Sequence, residues 1–516
     1  MDDFSEVFPW WTEEHKKLQK DVRAFMRKWA PREMESRWKR EIPFDFYEAF
    51  GKAGFTGAPI PKEYGGMGLG CTGGVIVADE VHSVSPGIGR YVVGNMMGGV
   101  MQLLDAGTEE QKKKYLPRIA AGEIGCVGIT EVTAGTDASG MEVTAELKGD
   151  KYVLNGKKRF IVGAGLADHY IVYAKSSNDP ELIKKHKHLT AFWLERGTKG
   201  FSSERTNEIL SFENVQNGSL DFDNVEIPVS ARIGEEGEGW MVLMNGLNFE
   251  RTLISGSAVA WQKTLLRYAY PYPDRRVQFG RPTADIVLNQ MRLADMIMRY
   301  KTTRLSSYYT AYLWDLKADI TIDASMAKCM GALATMDSAH DGVMVMGGDG
   351  INRWYPVQNL FEVAKTDFVA GGTLDACKLV VYRAAPKLLG EVVTMPRRVI
   401  SKELGVPVPT FEPVEKKLPV SEDNVLKVLA DDYRVNQGLH MTIKDLKVYL
   451  DGEDDAITAA ILALQEKDLV SVYGNKKKPV ILAKANYNGL RKANPKEYYQ
   501  WAPDFVTSDP RRMERN

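Results

Sequence analysis

Near Gly125 the spacing of apolar residues changes from helical to alternating, and near Glu238 it changes back. A period of 3.6 and a period of 2 cannot share one element. The two changes therefore cut the chain into a helical segment, a β segment and a second helical segment. In the first, Phe44, Phe46, Tyr47 and Phe50 mark one amphipathic face, and Pro59 to Gly70 reads as a Gly-rich loop between helices. Thr108 and Gln111, ahead of Tyr115 and Leu116, have the spacing of a capping box.

In the β segment Val143, Ala145 and Leu147 alternate with polar residues up to a turn at Lys148-Gly149-Asp150. Tyr152 and Leu154 then alternate as far as Asn155-Gly156, which predicts a second hairpin. His169 to Ala174, Leu189 to Leu194 and Ser219 to Asp223 continue the strand pattern. From Glu238 to Leu389 the spacing predicts four or five long helices in an antiparallel bundle. The Pro-rich run from Val406 to Pro413, then Pro419, marks a linker. At 516 residues the chain exceeds a single core.

The expected fold is therefore α+β multidomain: an N-terminal helical domain (1–125), a middle antiparallel β domain (126–235), a C-terminal four-helix-bundle domain (236–390), a linker (391–419) and an extension (420–516). Helical segments around Val425–Leu429, Ile443–Leu450 and Ala456–Leu464 precede two runs, Leu469–Tyr473 and Pro479–Ala483. Three helices and a hairpin suggest a winged-helix-like tail.

A net charge of −1 argues against electrostatic binding to nucleic acid or an anionic membrane. A rival reading keeps the tail as a DNA module with Lys476, Lys477 and Lys478 at its tip; balancing acids across the tail weigh against it. Cys71, Cys126, Cys329 and Cys377 lie far apart and read as buried thiols of a reducing compartment. His186-Lys187-His188 lacks further ligands at metal spacing and reads as a solvated loop. The acidic start Met1-Asp2-Asp3-Phe4 is unlike a signal or transit peptide, and no apolar run has membrane-spanning length, so a cytoplasmic protein is expected.

One residue breaks the apolar pattern. Trp240, Leu243, Leu247, Ile254, Ala258, Trp261 and Leu265 follow a three-four spacing, and Glu250 falls in the same row. A carboxylate there is costly unless paired or neutral. Desolvation would raise its pKa into the range of a general base, although a buried ion pair with Arg251 or another arginine satisfies the same pattern. The pairs Gly347-Gly348 and Gly371-Gly372 let backbone approach a phosphate or a ring. Gly163-Ala164-Gly165 is followed by a strand, which excludes a dinucleotide-binding fingerprint. Thr130 to Asp137 gathers hydroxyls, acids and a glycine where helix gives way to sheet; taken alone it is an ordinary capped turn.

Together these motifs resemble the acyl-CoA dehydrogenase family from about Glu13 to Leu389. Thr130 to Asp137 resembles its T-E-P-G-A-G-S-D signature, and Asn155 to Val162 resembles N-G-x-K-x-W-I-T/S. Phe222 to Pro228 resembles the segment leaving the sheet. Arg276 to Gly280 matches R-x-x-F-G, and Gly347 to Gly350 resembles G-G-x-G. The resemblance implies an FAD held by Thr130, Thr136 and the Phe160-Ile161-Val162 segment. Arg276, Phe279 and Gln290, with Gly347 and Gly348, would hold the FAD of a neighbouring subunit, and Thr373 and Asp375 would close over the cofactor. Thr136, Arg251, Gly371 and Gly372 would contact the substrate. It further implies an acyl-CoA substrate, a homotetramer and an electron-transfer flavoprotein as acceptor.

Departures refine this expectation. Val132 and Thr133 stand where the family has Pro-Gly, and Phe160 replaces a flavin-shielding tryptophan. Val162 replaces a hydroxyl beside the flavin, and Met344 replaces a glutamine. The commoner base, a glutamate just before Gly-Thr, is Gly371. In a smaller branch that includes isovaleryl-CoA dehydrogenases the base lies on a helix in an E-R pair, and Glu250-Arg251 matches that placement. The resemblance then implies α,β-dehydrogenation of a branched, cyclic or bulky acyl-CoA with Glu250 as base. The same scaffold run as an enoyl-CoA reductase, or as a flavin oxidase, is the alternative.

Overall fold

The computed structural model describes residues 7–389, 416–435 and 440–493. The chain divides into two compact units, Met1–Ala385 and Pro386–Asn516.

The first unit opens with α1 (Glu13–Trp29), α2 (Glu33–Lys39), α3 (Phe44–Lys52), α4 (Gly70–His82), α5 (Pro86–Met97), α6 (Val100–Ala106) and α7 (Glu109–Ala120). The expected capping box starts α7: Gln111 N–H donates to Thr108 Oγ1, and Thr108 N–H donates to Gln111 Oε1. Phe46, Tyr47 and Phe50 of α3 are buried, while Phe44 points outward.

Strands β1 (Gly125–Gly128), β2 (Thr144–Lys148), β3 (Lys151–Val162), β4 (His169–Lys175), β5 (Leu189–Glu195), β6 (Phe201–Asn207), β7 (Asn217–Pro228) and β8 (Arg232–Ile233) form an 8-stranded sheet, with the short α8 (Pro180–Lys184) between β4 and β5. Most pairings are antiparallel; β1 and the first residue of β2 run parallel to β4. β6 joins the sheet although no strand stood out there in the sequence. Asn155-Gly156 makes no hairpin. β3 runs straight through it, and the hairpin is the Gly149-Asp150 turn, with Lys148 opposite Lys151. The register slips beside Gly156 because β7 carries an extra residue there, and Asn155 Oδ1 accepts the Asn224 N–H at 2.8 Å. A second slip lies between Lys158 and Ile161, with the extra residue on β3. His188 is likewise not solvated: it is buried, with Nε2 2.9 Å from the Ser139 carbonyl, while His186 stacks on Trp240.

The long α9 (Gly239–Ala269) begins the second helical layer, followed by α10 (Tyr272–Arg275), a small hairpin of β9 (Val277–Gln278) and β10 (Arg281–Pro282), α11 (Val287–Asp315), α12 (Thr321–Met346), α13 (Pro356–Thr366) and α14 (Leu374–Leu388). Buried charges fix α9 against α4. Lys263 Nζ lies 2.6 Å from Asp79 and 3.4 Å from Glu80, Arg23 of α1 pairs with Glu80, and Tyr308 of α11 donates to Asp79. Lys263 and Arg23 thus compensate the buried Asp79 and Glu80 carboxylates. All four cysteines are free and buried.

The second unit has its own apolar core, with Leu426, Leu446, Ile461 and Ala483 among its buried residues. It comprises β11 (Leu418–Pro419), α15 (Glu422–Val435), α16 (Ile443–Leu446), β12 (Leu450–Asp451), α17 (Asp454–Glu466), an antiparallel hairpin of β13 (Val470–Tyr473) and β14 (Leu482–Ala485), and α18 (Tyr487–Ala493). The helix expected over Ile443–Leu450 ends at Leu446, and Leu450 pairs instead with Leu418 of β11. The Pro-rich stretch 406–413 lies outside the described residues. Among the described residues no helix is long and apolar enough to cross a membrane, and no cluster of metal-ligating side chains occurs.

Candidate active site

Glu250 lies in the middle of α9, on the face carrying buried Leu243, Ile254, Ala258, Trp261 and Leu265. It forms no ion pair among the described residues, so pairing does not account for its place on the stripe. As a residue it is half-buried, so one side remains open to solvent. Protein atoms nonetheless crowd the carboxyl, and desolvation raises its pKa to about 7 against the lowering pull of Arg251, Arg90 and Lys328. A carboxyl poised there takes a proton near neutral pH.

Opposite Glu250 is the turn between α13 and α14. Gly371 and Gly372 have φ of 65° and 89°, a left-handed backbone that side chains rarely adopt. The Gly371 carbonyl accepts Arg251 Nε at 3.1 Å, and the Gly372 carbonyl accepts Lys328 Nζ at 2.7 Å. Arg251 also reaches Asn248 Oδ1 at 3.3 Å. Thr373 caps α14, its hydroxyl accepting the Ala376 N–H, whereas Asp375 is exposed beside Lys378. Arg90 of α5 pairs with buried Asp367 and lies over the Phe212 and Trp261 rings.

The Thr130–Asp137 loop is tied to β3 by a buried ion pair. Lys158 Nζ donates to Glu131 Oε1 at 2.7 Å and to the Ile129 carbonyl at 3.0 Å, while Glu131 accepts the N–H groups of Glu142 and Val143. Burial brings the Lys158 pKa down to about 8, with Glu131 opposing. Arg159 N–H donates to the Thr130 carbonyl at 2.9 Å, which joins the two sequence motifs directly. Thr136 is exposed, Thr130 half-buried, Phe160 exposed at φ 59°, Ile161 buried and Val162 half-buried. Val162 reaches α5: a Cβ on Gly94 would sit 3.2 Å from its Cγ1.

Other expected residues stand apart from Glu250. Arg276 and Gln290 are exposed, and Phe279, at the β9–β10 turn, is 92% exposed with φ 54°. Gln290 donates to the Ala284 carbonyl. Gly347, with φ 60°, caps α12; a Cβ added to it or to Gly348 would meet nothing within 4 Å. The sequence reading passed over Lys158, Glu131 and Lys328. The signal for Lys328 was available: a lone ammonium between Ala327 and Cys329 on a helix of small residues parallels Glu250 on its stripe.

Family models match in the same order: "Acyl-CoA dehydrogenase, N-terminal domain" over residues 12–123, "middle domain" over 126–225 and "C-terminal domain" over 237–385. An acyl-CoA dehydrogenase of Bacillus subtilis is 34% identical over 375 residues, 72% of this chain and 98% of the relative. The mitochondrial isovaleryl-CoA dehydrogenase of Pongo abelii is 31% identical over 377 residues, 72% of this chain and 89% of the relative. A chain solved in work on the electron transferring flavoprotein of Acidaminococcus fermentans superposes with a TM-score of 0.70 at 32% identity, covering 73% of this chain and 99% of that one. On the order of its three matched domains, and on relatives about a third identical over some 72% of its length, this chain is a member of the acyl-CoA dehydrogenase family.

Proposed function

We propose that the protein is an FAD-dependent acyl-CoA dehydrogenase in which Glu250 removes the α-proton of a branched, cyclic or bulky acyl thioester. The observation carrying this reading is the raised, unpaired carboxyl on α9 facing a turn whose usual side chain is missing. The hydroxyls of Thr130 and Thr136, the exposed Phe160 ring, the charged Arg276 and the open Gly347-Gly348 turn are a donor set and shape suited to FAD. Thr130, Thr136 and Phe160–Val162 would hold one cofactor; Arg276, Phe279, Gln290 and the Gly347-Gly348 turn would reach that of a neighbouring subunit. FAD, when bound, supplies an acceptor for the β-hydrogen as hydride.

This chain's own residues do the rest. Glu250 takes the proton as the Cα–H bond breaks, and the electron pair moves towards the thioester oxygen. Amides of the Gly371–Thr373 turn stand ready to donate to that oxygen. Electrons leave to an electron-transfer flavoprotein, consistent with the structural neighbour named above, and the exposed Arg276–Gly280 hairpin supports a homotetramer. No membrane or nucleic-acid partner enters this reading, and the cytoplasm is its expected compartment.

The test is anaerobic incubation of the FAD-loaded protein with a panel of CoA thioesters, following flavin bleaching. Bleaching strongest with branched or cyclic acyl groups is expected; no bleaching with any thioester would reject the reading.

A further inference from the structure

Lys328 of α12 has no exposed surface. A buried ammonium normally meets a carboxylate, because its desolvation is otherwise poorly compensated. Among the described residues Lys328 forms no ion pair, and its hydrogen bond goes to the Gly372 carbonyl at 2.7 Å. The preceding carbonyl, that of Gly371, is held by Arg251. Two successive peptide oxygens are thus turned towards two buried cations. In a trans peptide the N–H points opposite to the C=O. The N–H groups of Gly372 and Thr373 are therefore directed away from those cations. Among the described residues no backbone acceptor engages the N–H of Gly371, Gly372 or Thr373. A Cβ on Gly371 would lie 3.5 Å from Glu250 Oε1, so the turn and the carboxyl border one space.

We propose that Lys328 is a positioning residue for the reaction: by holding the Gly372 carbonyl it fixes the turn with its amides presented to the thioester oxygen. This rests on the proposed function. As the Cα–H bond breaks, its proton passes to Glu250 and its electron pair delocalises onto that oxygen, where donors already in place need no reorganisation. Lys328 acts a second time through space, since its charge favours the ionised form of Glu250. Desolvation lowers the Lys328 pKa; Cys377, Asp367 and Cys329 counter that, and Arg251 adds to it. The charged or titratable groups around Glu250 are Arg251 on its own helix, Arg90 on α5, Lys328 on α12 and Cys377 on α14, with Tyr173 of β4 on the sheet side.

The experiment compares full-length, FAD-loaded wild type with Lys328→Met and Lys328→Gln. Three quantities are read: bleaching rate against thioester concentration, the pH midpoint of that rate, and amide hydrogen exchange of the peptide spanning Phe368 to Cys377. Lys328→Met should slow bleaching by on the order of 10²-fold, the cost of a small misplacement at a reacting centre, with a much smaller change in KM. Lys328→Gln can still donate to the carbonyl, so it should lose less rate. Both should move the pH midpoint upwards and speed exchange in the turn. A folded Lys328→Met with wild-type rate, midpoint and exchange would overturn the assignment. Should Met not fold, Gln with an unmoved midpoint and unchanged exchange would do the same. If wild type bleaches with no thioester, the proposed function falls by itself, and the exchange measurement alone decides whether Lys328 holds the turn.

Discussion

A Cβ placed on Gly371 would stand 3.5 Å from Oε1 of Glu250. The glycine of the turn and the carboxylate of α9 therefore address the same point from opposite walls. The space a side chain at Gly371 would enter is bordered by Glu250 and Ile254, the latter's Cδ1 only 2.8 Å from that Cβ. A side chain at Gly371 would therefore touch Glu250 and push the end of Ile254 aside.

Glu250→Gln keeps the size of the side chain and removes its basicity. Flavin bleaching by substrate should fall by roughly 10²–10⁴-fold while FAD content stays the same. In the wild type the rate should rise with pH through about 7 as the carboxyl ionises. Stability should move the other way. The folded pKa lies above the unfolded one, so the contribution is complete below the unfolded value of 4.5 and is lost as pH rises through about 7. Glutamine should therefore raise the melting temperature at pH 8 and leave it nearly unchanged at pH 4. Discounted for the open side of the residue, the gain is on the order of 2 kcal/mol.

Moving the carboxylate tests the geometry directly. Glu250→Gly with Gly371→Glu should recover part of the bleaching lost in Glu250→Gly alone, with preference shifted towards straighter acyl chains. Gly371→Ala by itself should be poorly active and less stable, since it places a side chain at φ 65° and crowds Ile254. Rates across a thioester panel, alongside thermal melts, read both effects.

Lys158→Met leaves the Glu131 carboxylate buried without its cation. Destabilisation of about 3–5 kcal/mol is expected. Because the same pair anchors the loop bearing Thr130 and Thr136, FAD should be lost more readily on dialysis than in a control variant destabilised equally in the second unit. Chemical denaturation and the flavin-to-protein absorbance ratio measure the two.

Arg276→Ala should weaken FAD retention by removing a charge-assisted phosphate contact. If that contact crosses a subunit boundary, Phe279→Asp should lower both the assembled mass and the flavin content. Light scattering with flavin absorbance distinguishes this from a contact within one chain, where only flavin would fall.

Truncation before Val406 removes nothing from the matched domains, which end at residue 385. FAD binding should persist. Loss of flavin from an otherwise folded truncated protein, judged by circular dichroism, would contradict the placement of every cofactor contact in the first unit.

Features that follow from a local period were legible in the sequence. The Glu250 stripe and the capping box of α7 depend on residues three or four apart, and both stand where the spacing put them. Features set by a distant partner were not. Asn155-Gly156 satisfies a tight turn and a bulged strand equally well, and β7 decides between them, with Val225 opposite Leu154 and Phe222 opposite Gly156. His188 is buried because the Ser139 carbonyl, 49 residues away, receives it. Lys328 finds its acceptor 44 residues on, beyond any helical repeat.

The second register slip of β3 has a consequence for evolution of the chain by insertion and deletion. Side chains on a strand alternate in phase, and one extra residue inverts the phase of everything beyond it. Ahead of the slip Tyr152, Leu154 and Lys158 face inward; past it the inward residue is Ile161, and Phe160 is turned outward. Removing one residue between Lys158 and Ile161 would make the spacing on β3 equal to that on β7, where one residue separates Leu220 from Gly218, so the bulge would vanish while Ile161 stayed inward. The shortened strand would keep its buried face but lose the bulge that holds Phe160 at φ 59°, so a deletion here should cost flavin content before it costs stability.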